Sequence, residues 1–596
     1  MLHDTLQKYW GYDSFLPLQR EAMESVLEGR DSLVVLPTGG GKSLCYQAPA
    51  VELPGTAVIV SPLISLMKDQ VDALEECGVA AARVDSSLPY PDRQKVIARF
   101  HAGGLKLLYV SPERLMSERF AHVLRGGDVS FIAVDEVHCV SMWGHDFRPE
   151  YRKLGALKNH FPDIALHAYT ATATRRVRKD IVETLGLESP EVLVGSFDRP
   201  NLVYRARRRA NELDQVCEVI ERHPGESGIV YCIRRKDVDE MAGSLEARGY
   251  SVLPYHAGME PEERKSNQNA FSMGEVDIIV ATVAFGMGID KPDVRYVVHA
   301  GMTKTLEHYQ QQSGRAGRDG LEAECWIFYS GSDYHTWKFL LSGSDAESQR
   351  IHLQKLSDMY GFCCDVSCRH RMLVEYFGQE YEKDNCGACD FCLGEVNCLE
   401  NSLETAQKIL SCVARLDQRY GAGYTANVLI GSNAERVVQS RHDELSTWGL
   451  LSEYPARQVR NWIEQLVAQQ CLSRTKQYKV LKLTRRGMEV LRGERRPRLS
   501  KPRQKRVKAS RVQGEVWEEV DLRLFERLRA LRKDLADRRG VPAYVVFGDA
   551  TLRGICRRRP ETPEEFREVK GVGEKKCRRY ADVFIEAIQE FEADFS

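Results

Sequence analysis

At about 150 residues per folding unit, a chain of 596 residues has room for roughly four domains and a sizeable core. Its 84 Lys and Arg against 85 Asp and Glu exclude a uniformly basic coat and leave only local basic patches. No apolar run approaches the roughly 18 residues of a membrane span, and the N-terminal segment lacks the charged-then-apolar order of a secretory signal. A soluble, intracellular protein is therefore expected, in which most of the 17 cysteines are small buried hydrophobes and a tight cluster points to metal.

Short apolar, β-branched runs at 33–36, 57–60, 107–110, 132–134 and 166–169 alternate with amphipathic stretches and read as buried strands of a parallel sheet. After the turn-rich segment 196–201, a second series at 229–232, 252–255, 278–281, 296–299 and 325–329 repeats the pattern, so two α/β units are expected in tandem. Nearly every run ends in a cluster of Gly, Ser, Thr, Asp or His, and ligands of open parallel sheets bind at the carboxyl ends of strands. Beyond about residue 340 the pattern turns helical and cysteine-bearing, and 405–491 reads as short helices ending in a two-strand ribbon. Residues 495–511 carry nine Lys and Arg, two Pro and no acid, the composition of a tether, and 521–595 is a compact helical pattern.

The first run leads into Pro37-Thr38-Gly39-Gly40-Gly41-Lys42-Ser43 and an apolar helix start. Glycines let backbone N–H groups converge on phosphate oxygens, and the helix dipole adds its positive end. In this pattern Lys42 reaches the β/γ-phosphates and Ser43 holds Mg²⁺; the strict motif has Gly where Leu36 stands, so this is a variant loop. A flexible glycine turn is the bland alternative. After the run at 132–134 come Asp135-Glu136-Val137-His138: Asp135 is suited to orient hydrated Mg²⁺ and Glu136 to accept a proton from an attacking water. Adjacent acids alone are a solvated strand end, but Lys42 upstream on the same sheet favours chemistry. Gln311 and Ser313-Gly314-Arg315-Ala316-Gly317-Arg318-Asp319-Gly320 follow the second series. Arg315 and Arg318 read as cis arginine fingers for a transferring phosphoryl group, with a basic helix face as the alternative.

With Ser61-Pro62-Leu63-Ile64-Ser65-Leu66-Met67-Lys68-Asp69-Gln70, Thr170-Ala171-Thr172-Ala173, Ser196-Phe197-Asp198-Arg199-Pro200-Asn201, Tyr255-His256-Ala257-Gly258 and the 281–292 segment, the set resembles the ordered motifs of a superfamily 2 helicase of the RecQ family, bacterial type. The resemblance implies that Thr170 and Thr172 couple the two sheets and that residues 281–291 touch phosphate and DNA backbone. It also implies an adenine-binding segment at Gly11-Tyr12-Asp13-Ser14-Phe15-Leu16-Pro17-Leu18-Gln19, where the Gln19 amide suits the N6/N7 edge of adenine. Leu16 stands where the family pattern carries Arg, so arginine stacking on the purine is lost or passed to Tyr12. The loop 138–151 resembles the family's aromatic-rich loop, with Met142 where Gln is usual. Trp143 and Phe147 offer faces for base stacking and Arg148 offers charge; a buried aromatic knot is the alternative, and proximity to the acids favours a DNA sensor.

Cys368, Cys386, Cys389 and Cys392 give Cys-x17-Cys-x2-Cys-x2-Cys, a spacing that closes a structural tetrahedral zinc site. A redox dithiol is the rival, and Cys363, Cys364 and Cys398 lie nearby; Cys368-Arg369-His370-Arg371 resembles the family's first ligand step. Residues 405–492 resemble a winged helix, with a ribbon near Lys476-Gln477, Tyr478 just past the tip and phosphate-gripping basic groups. Val541-Pro542-Ala543-Tyr544-Val545-Val546-Phe547 and Val569-Lys570-Gly571-Val572-Gly573-Glu574-Lys575 look like a single HRDC domain, where Gly571 and Gly573 are candidates to expose N–H groups to a DNA phosphate beside Lys570, Lys575 and Lys576.

The expected architecture is thus α/β, with two tandem RecA-like parallel-sheet lobes at 1–200 and 201–340, a zinc-binding helical subdomain at 341–400, a winged-helix domain at 401–494, a basic linker at 495–516 and a small all-α HRDC domain at 517–596. The resemblance implies ATP, Mg²⁺ and Zn²⁺ as cofactors, and single-stranded and tailed duplex DNA as substrates. It further implies a single-stranded DNA-binding protein and a topoisomerase as partners, 3′ to 5′ movement in recombination, repair and replication restart, and a cytoplasmic, nucleoid-associated location. An RNA helicase and a binding scaffold with a vestigial motor are the rival readings.

Overall fold

The structure, a computed structural model, describes residues 2–144, 146–285, 291–342, 346–396, 398–475, 480–501 and 520–595. The first sheet contains β1 (Ser32–Val35), β2 (Thr56–Val60), β3 (Ala81–Val84), β4 (Leu107–Val110), β5 (Val129–Val134), β6 (Leu166–Thr170) and β7 (Glu191–Val194). All pairings are parallel, in the order β3-β4-β2-β5-β6-β1-β7. Alternate residues feed two cores: Val34, Ile59 and Ala133 on one face, Leu33, Val58 and Ile132 on the other. Burial on both faces is why these strands read as continuous apolar runs. The second sheet, β8 (Leu202–Arg208), β9 (Ser227–Tyr231), β10 (Val252–Tyr255), β11 (Ile278–Ala281), β12 (Val294–His299) and β13 (Ala323–Tyr329), is also parallel, in the order β10-β11-β9-β12-β13-β8.

Three strands escape apolar patterning. β3 is Ala-Ala-Arg-Val, whose Arg83 pairs with buried Asp85. β7 is a partly exposed edge beside β1. β8 carries Arg205, Arg207 and Arg208; Arg205 is held by Glu395 at 2.8 Å and Glu324 at 3.0 Å, and Arg207 by Glu218 at 2.6 Å. Leu36 and Cys232, expected as strand ends, lie just beyond β1 and β9.

The helices Ala346–Cys364 and Arg369–Tyr376 and the following cysteine loop dock on β8. The Tyr204 N–H donates to the Ala388 carbonyl at 3.1 Å, the Asp390 N–H donates to the Tyr204 carbonyl at 2.9 Å, and buried Arg369 pairs with Asp390 at 3.0 Å. A separate core around Trp462 joins helices Ser402–Arg415, Ala422–Leu429, Glu435–Gln439, Ala456–Ala468 and Arg485–Leu491 to an antiparallel ribbon of β14 (Leu472–Arg474) and β15 (Leu481–Leu483). The ribbon-tip residues Lys476, Gln477 and Tyr478 lie outside the described residues.

The basic run does not begin as a free tether. The Leu399 N–H donates to the Leu499 carbonyl at 2.7 Å, Leu499 is buried, and the Trp462 indole N–H donates to the Ser500 carbonyl at 2.8 Å. An apolar side chain inside a charged run is enough to fold it back onto this core. Residues 502–516 of the expected linker, and 517–519 after it, lie outside the described residues.

The last core packs Phe547, Phe566 and Phe584 between helices Leu522–Asp537, Asp549–Arg558 and Glu574–Phe595. Its 569–573 turn is a candidate to expose N–H groups to a DNA phosphate, with a plain helical-hairpin turn as the alternative. In this structure the Gly571 N–H donates to the Gly11 carbonyl at 2.9 Å, Lys575 Nζ donates to the Glu75 carbonyl at 3.1 Å, and Arg539 and Arg579 pair with Glu76 at 2.6 and 3.2 Å. The turn's bare backbone is used for docking on the first lobe, and Arg529 reaches the second lobe at the Gly225 carbonyl, 3.0 Å away.

Candidate active site

The sheet order sets β5, β6 and β1 side by side, so their carboxyl ends deliver Asp135, Thr170 and the phosphate loop to one edge. In that loop Gly39 and Gly41 have φ of +84° and +68°, the left-handed region that glycine enters without a Cβ penalty. Thr38, Gly40 and Ser43 complete the turn into helix Lys42–Glu52. Lys42 Nζ donates to the Leu36 carbonyl at 3.3 Å. Burial lowers the Lys42 pKa, while Glu136 and Asp135 push it up and Arg318 pushes it down. Buried Gln19 reaches the same loop: its amide donates to the Gly41 carbonyl at 3.3 Å and accepts from the Leu16 N–H at 2.7 Å. Tyr12, beside it in sequence, is 39% exposed.

Asp135 accepts the Glu136 N–H at 2.9 Å and the Tyr46 hydroxyl at 3.4 Å, and Tyr46 also interacts with Ser43. Ser43 and Asp135 thus share one neighbourhood of oxygen donors, which suits a hard divalent cation. Glu136 is held at φ +48°, a strained conformation for a non-glycine residue of the kind that gathers at functional sites. Burial and the adjacent Glu136 raise the Asp135 pKa. Against burial, His138, Lys42 and Arg315 hold Glu136 down. Burial opposes charge on His138 too, but Cys139 and Glu136 outweigh it and push His138 up to about 10. His138 Nδ1 lies 3.3 Å from Glu136 and 2.9 Å from the Thr170 hydroxyl, and the Thr170 hydroxyl accepts the Thr172 N–H at 3.3 Å.

The second lobe supplies the opposing wall. Arg315 is buried; burial lowers its pKa while Tyr231 and Glu136 raise it. Arg318 is half-buried, close enough for its charge to register on Lys42. The structure therefore brings Lys42, Asp135, Glu136, Arg315 and Arg318 to one cleft. Arg315 Nε and Thr172 Oγ1 are buried with no hydrogen-bond partner among the described residues, as expected of groups waiting for a ligand's oxygens.

Sequence reasoning gave no separate role to Arg199. Its guanidinium donates to the Thr38 carbonyl of the phosphate loop and to the Ala316 and Gly317 carbonyls at 3.3 and 2.9 Å. One side chain from the inter-lobe segment thus grips both halves of the cleft. An arginine in a turn-rich linker was the available signal, but its partners are backbone carbonyls, which no sequence pattern marks.

Behind the acids, Trp143 is half-buried with the Arg176 guanidinium 3.0 Å from its ring centroid. Phe147 is 38% exposed. Arg148 is paired with Asp146 at 3.1 Å and donates to the Pro62 carbonyl at 3.3 Å, so its charge is partly compensated. A cleft between this loop and the second lobe is lined by Asp146, Val283, Ala284, Lys304, His308, Gln311, Gln312 and Arg315. His145 and residues 286–290 of the 281–291 segment lie outside the described residues; Lys291 is buried and paired with Asp293 at 3.2 Å.

The Sγ atoms of Cys368, Cys386, Cys389 and Cys392 lie within 4.8 Å of one another. A tetrahedral zinc ion with Zn–S of about 2.3 Å needs sulfurs about 3.8 Å apart, so the cluster fits. Hydrogen bonding among the thiols lowers Cys368 and raises Cys386, so the four sulfurs are in mutual contact, as ligands of one ion must be. Cys363 and Cys364 are buried in the main core, and Cys398 pairs through its backbone with Ser500; none joins the cluster.

Family models match the chain along its length: DEAD/DEAH box helicase at 16–181, helicase conserved C-terminal domain at 211–320, RecQ zinc-binding at 331–393, RQC domain at 400–508 and HRDC domain at 521–588. The ATP-dependent DNA helicase RecQ of Pasteurella multocida is 41% identical over 98% of this chain and 93% of its own length. Its namesake in Haemophilus influenzae is 40% identical over 99% and 96%, and that of Bacillus subtilis 38% identical over 99% of each. Full-length similarity at this level, through all five modules in order, makes the chain a member of the RecQ family of helicases.

Proposed function

We propose that this enzyme hydrolyses ATP to move 3′ to 5′ along one DNA strand and separate the duplex ahead of it, serving recombination, repair and replication restart in the cytoplasm at the nucleoid. The convergence of Lys42, Asp135 and Glu136 from one lobe with Arg315 and Arg318 from the other carries this reading. Thr38, Gly39, Gly40 and Gly41 cradle the phosphates, Lys42 compensates their charge, and Gln19 holds the adenine edge. Ser43 and Asp135 are the residues that would hold magnesium, whose charge neutralises that of the phosphates. Glu136, kept ionised by His138, takes the proton of the water that displaces ADP from the γ-phosphoryl group. Arg315 and Arg318 stabilise the charge that develops.

Because these groups come from two lobes, closure around ATP completes the site and hydrolysis releases it. Trp143, Phe147 and Arg148 contact the strand and report its presence to Glu136. Cys368, Cys386, Cys389 and Cys392 hold a structural zinc ion, and the winged helix and HRDC domain extend the grip on tailed duplexes. The test is strand displacement on DNA duplexes with a 3′ or a 5′ single-stranded tail and on a matched RNA duplex. Selective unwinding of the 3′-tailed DNA is expected; preference for a 5′ tail or for RNA would refute polarity or substrate.

A further inference from the structure

Lys355 belongs to helix Ala346–Cys364, outside both sheets, yet its ammonium joins them. It donates to the Trp143 carbonyl of the first lobe at 2.8 Å and to Glu307 Oε1 of the second lobe at 2.6 Å. The two side chains are only 12% and 3% exposed. Trp143 lies seven residues after Glu136, and Glu307 lies on helix Leu306–Ser313, which runs into Arg315. One cation therefore touches the loop behind the catalytic acids and the helix that leads into the opposing arginine.

Stability is a weak reason for such an arrangement. Removing two ions from water costs nearly as much as their attraction returns, and buried pairs of this kind are better at selecting one geometry than at adding stability. Here the selected geometry is a relationship between three bodies: the Trp143 loop, helix Leu306–Ser313 and the helical platform. A donor held to a carbonyl on one side and a carboxylate on the other ties the two together, so movement of either pulls on the other.

We infer that Lys355 is a positioning residue that transmits strand occupancy at the Trp143 loop to Arg315 through Glu307. The inference rests on the proposed role of Trp143 as a strand-contacting residue. When the loop shifts to accept a base, its carbonyl carries the ammonium with it; Glu307 follows, and its helix turns Arg315 relative to Glu136. Without strand, Lys355 keeps the helix in the arrangement seen here.

The test uses the full-length, zinc-loaded chain and compares ATP turnover with and without saturating single-stranded oligonucleotide. Lys355→Gln should leave basal turnover within about twofold and reduce the DNA-stimulated kcat by about tenfold, within the range of ordinary inter-site coupling. Lys355→Arg, which keeps two donors, should recover most of the stimulation. Glu307→Gln should reproduce the loss, and the double variant should add nothing to it. Stimulation equal to wild type in Lys355→Gln overturns the inference, as do parallel losses of basal and stimulated turnover with a lowered melting point, which mark a simple brace. Absence of stimulation in the wild type would instead defeat the proposed function.

Discussion

The guanidinium of Arg176 covers the indole of Trp143, 3.0 Å from the ring centroid, and so occupies one of the two faces on which a base could stack. Arg176 is exposed, where a cation–π contact contributes about 0.5–1 kcal/mol, against about 1–3 kcal/mol for a stacked base. On the proposed strand-contacting role of Trp143, a base would therefore displace Arg176 from a shared face. Arg176→Ala should tighten single-stranded DNA binding by about 2- to 5-fold; weaker binding in a fluorescence-anisotropy titration would show Arg176 to be a DNA contact instead. Trp143→Ala should lower DNA-stimulated ATP turnover more than basal turnover, and equal losses would favour a purely structural knot.

Lys42 lies in the field of Asp135 and Glu136, and on the proposed mechanism Lys42→Ala would leave the ATP phosphate charge uncompensated beside them. Turnover should fall by about two to three orders of magnitude with the melting point little changed. Near-normal ATP hydrolysis by the purified variant would remove the phosphate loop from the mechanism.

Cys389 is fully buried and sits at the backbone junction with Tyr204. Cys389→Ser should reduce both zinc per chain and the yield of folded protein, because binding energy at a closed site is folding energy. One zinc per chain in the variant, by atomic absorption, would exclude this thiol as a ligand.

Burial lowers His299 and His167 to about 4. Unfolded, each titrates near 6.5, so between these values the unfolded chain binds more protons than the folded one. Their contribution is complete above about pH 6.5 and is lost as pH falls toward about 4, at up to about 1.4 kcal/mol per pH unit for each histidine. His299→Gln should flatten the fall of melting temperature across that window; an unaltered slope would show that His299 does not drive it.

Glu76 holds Arg539 and Arg579 of the C-terminal domain. Partly exposed pairs contribute at most about 1 kcal/mol each, so Glu76→Arg should shift the ratio of docked to released domain by about tenfold or more through loss and repulsion. Small-angle scattering should register a larger radius of gyration; an unchanged profile would place the docking energy in the remaining contacts, Gly571 to Gly11, Lys575 to Glu75 and Arg529 to Gly225.

Legibility followed the periodicity. Strands buried on both faces, such as β2 and β4, announce themselves as apolar runs, and the chemistry at their ends is contiguous: Lys42 beside its glycines, Glu136 beside Asp135. β8 was hidden because its arginines meet acids distant in sequence, such as Glu395. Arg199 and Lys355 were hidden for a related reason, since each binds main-chain carbonyls of another module. The cysteine spacing revealed the metal cluster, whereas the use of Gly571 for docking depends on where a whole domain comes to rest. Leu499 shows the limit of composition: nine basic residues suggested a tether, and one apolar side chain anchors its start.

β8 is the outermost strand of its sheet, and the cysteine loop covers its free side through Tyr204. A strand left bare there would be a template for pairing with another molecule. Zinc bound by those thiolates would thus also guard against self-association, and treating the protein with a chelator should produce insoluble aggregates before the nucleotide cleft itself comes apart.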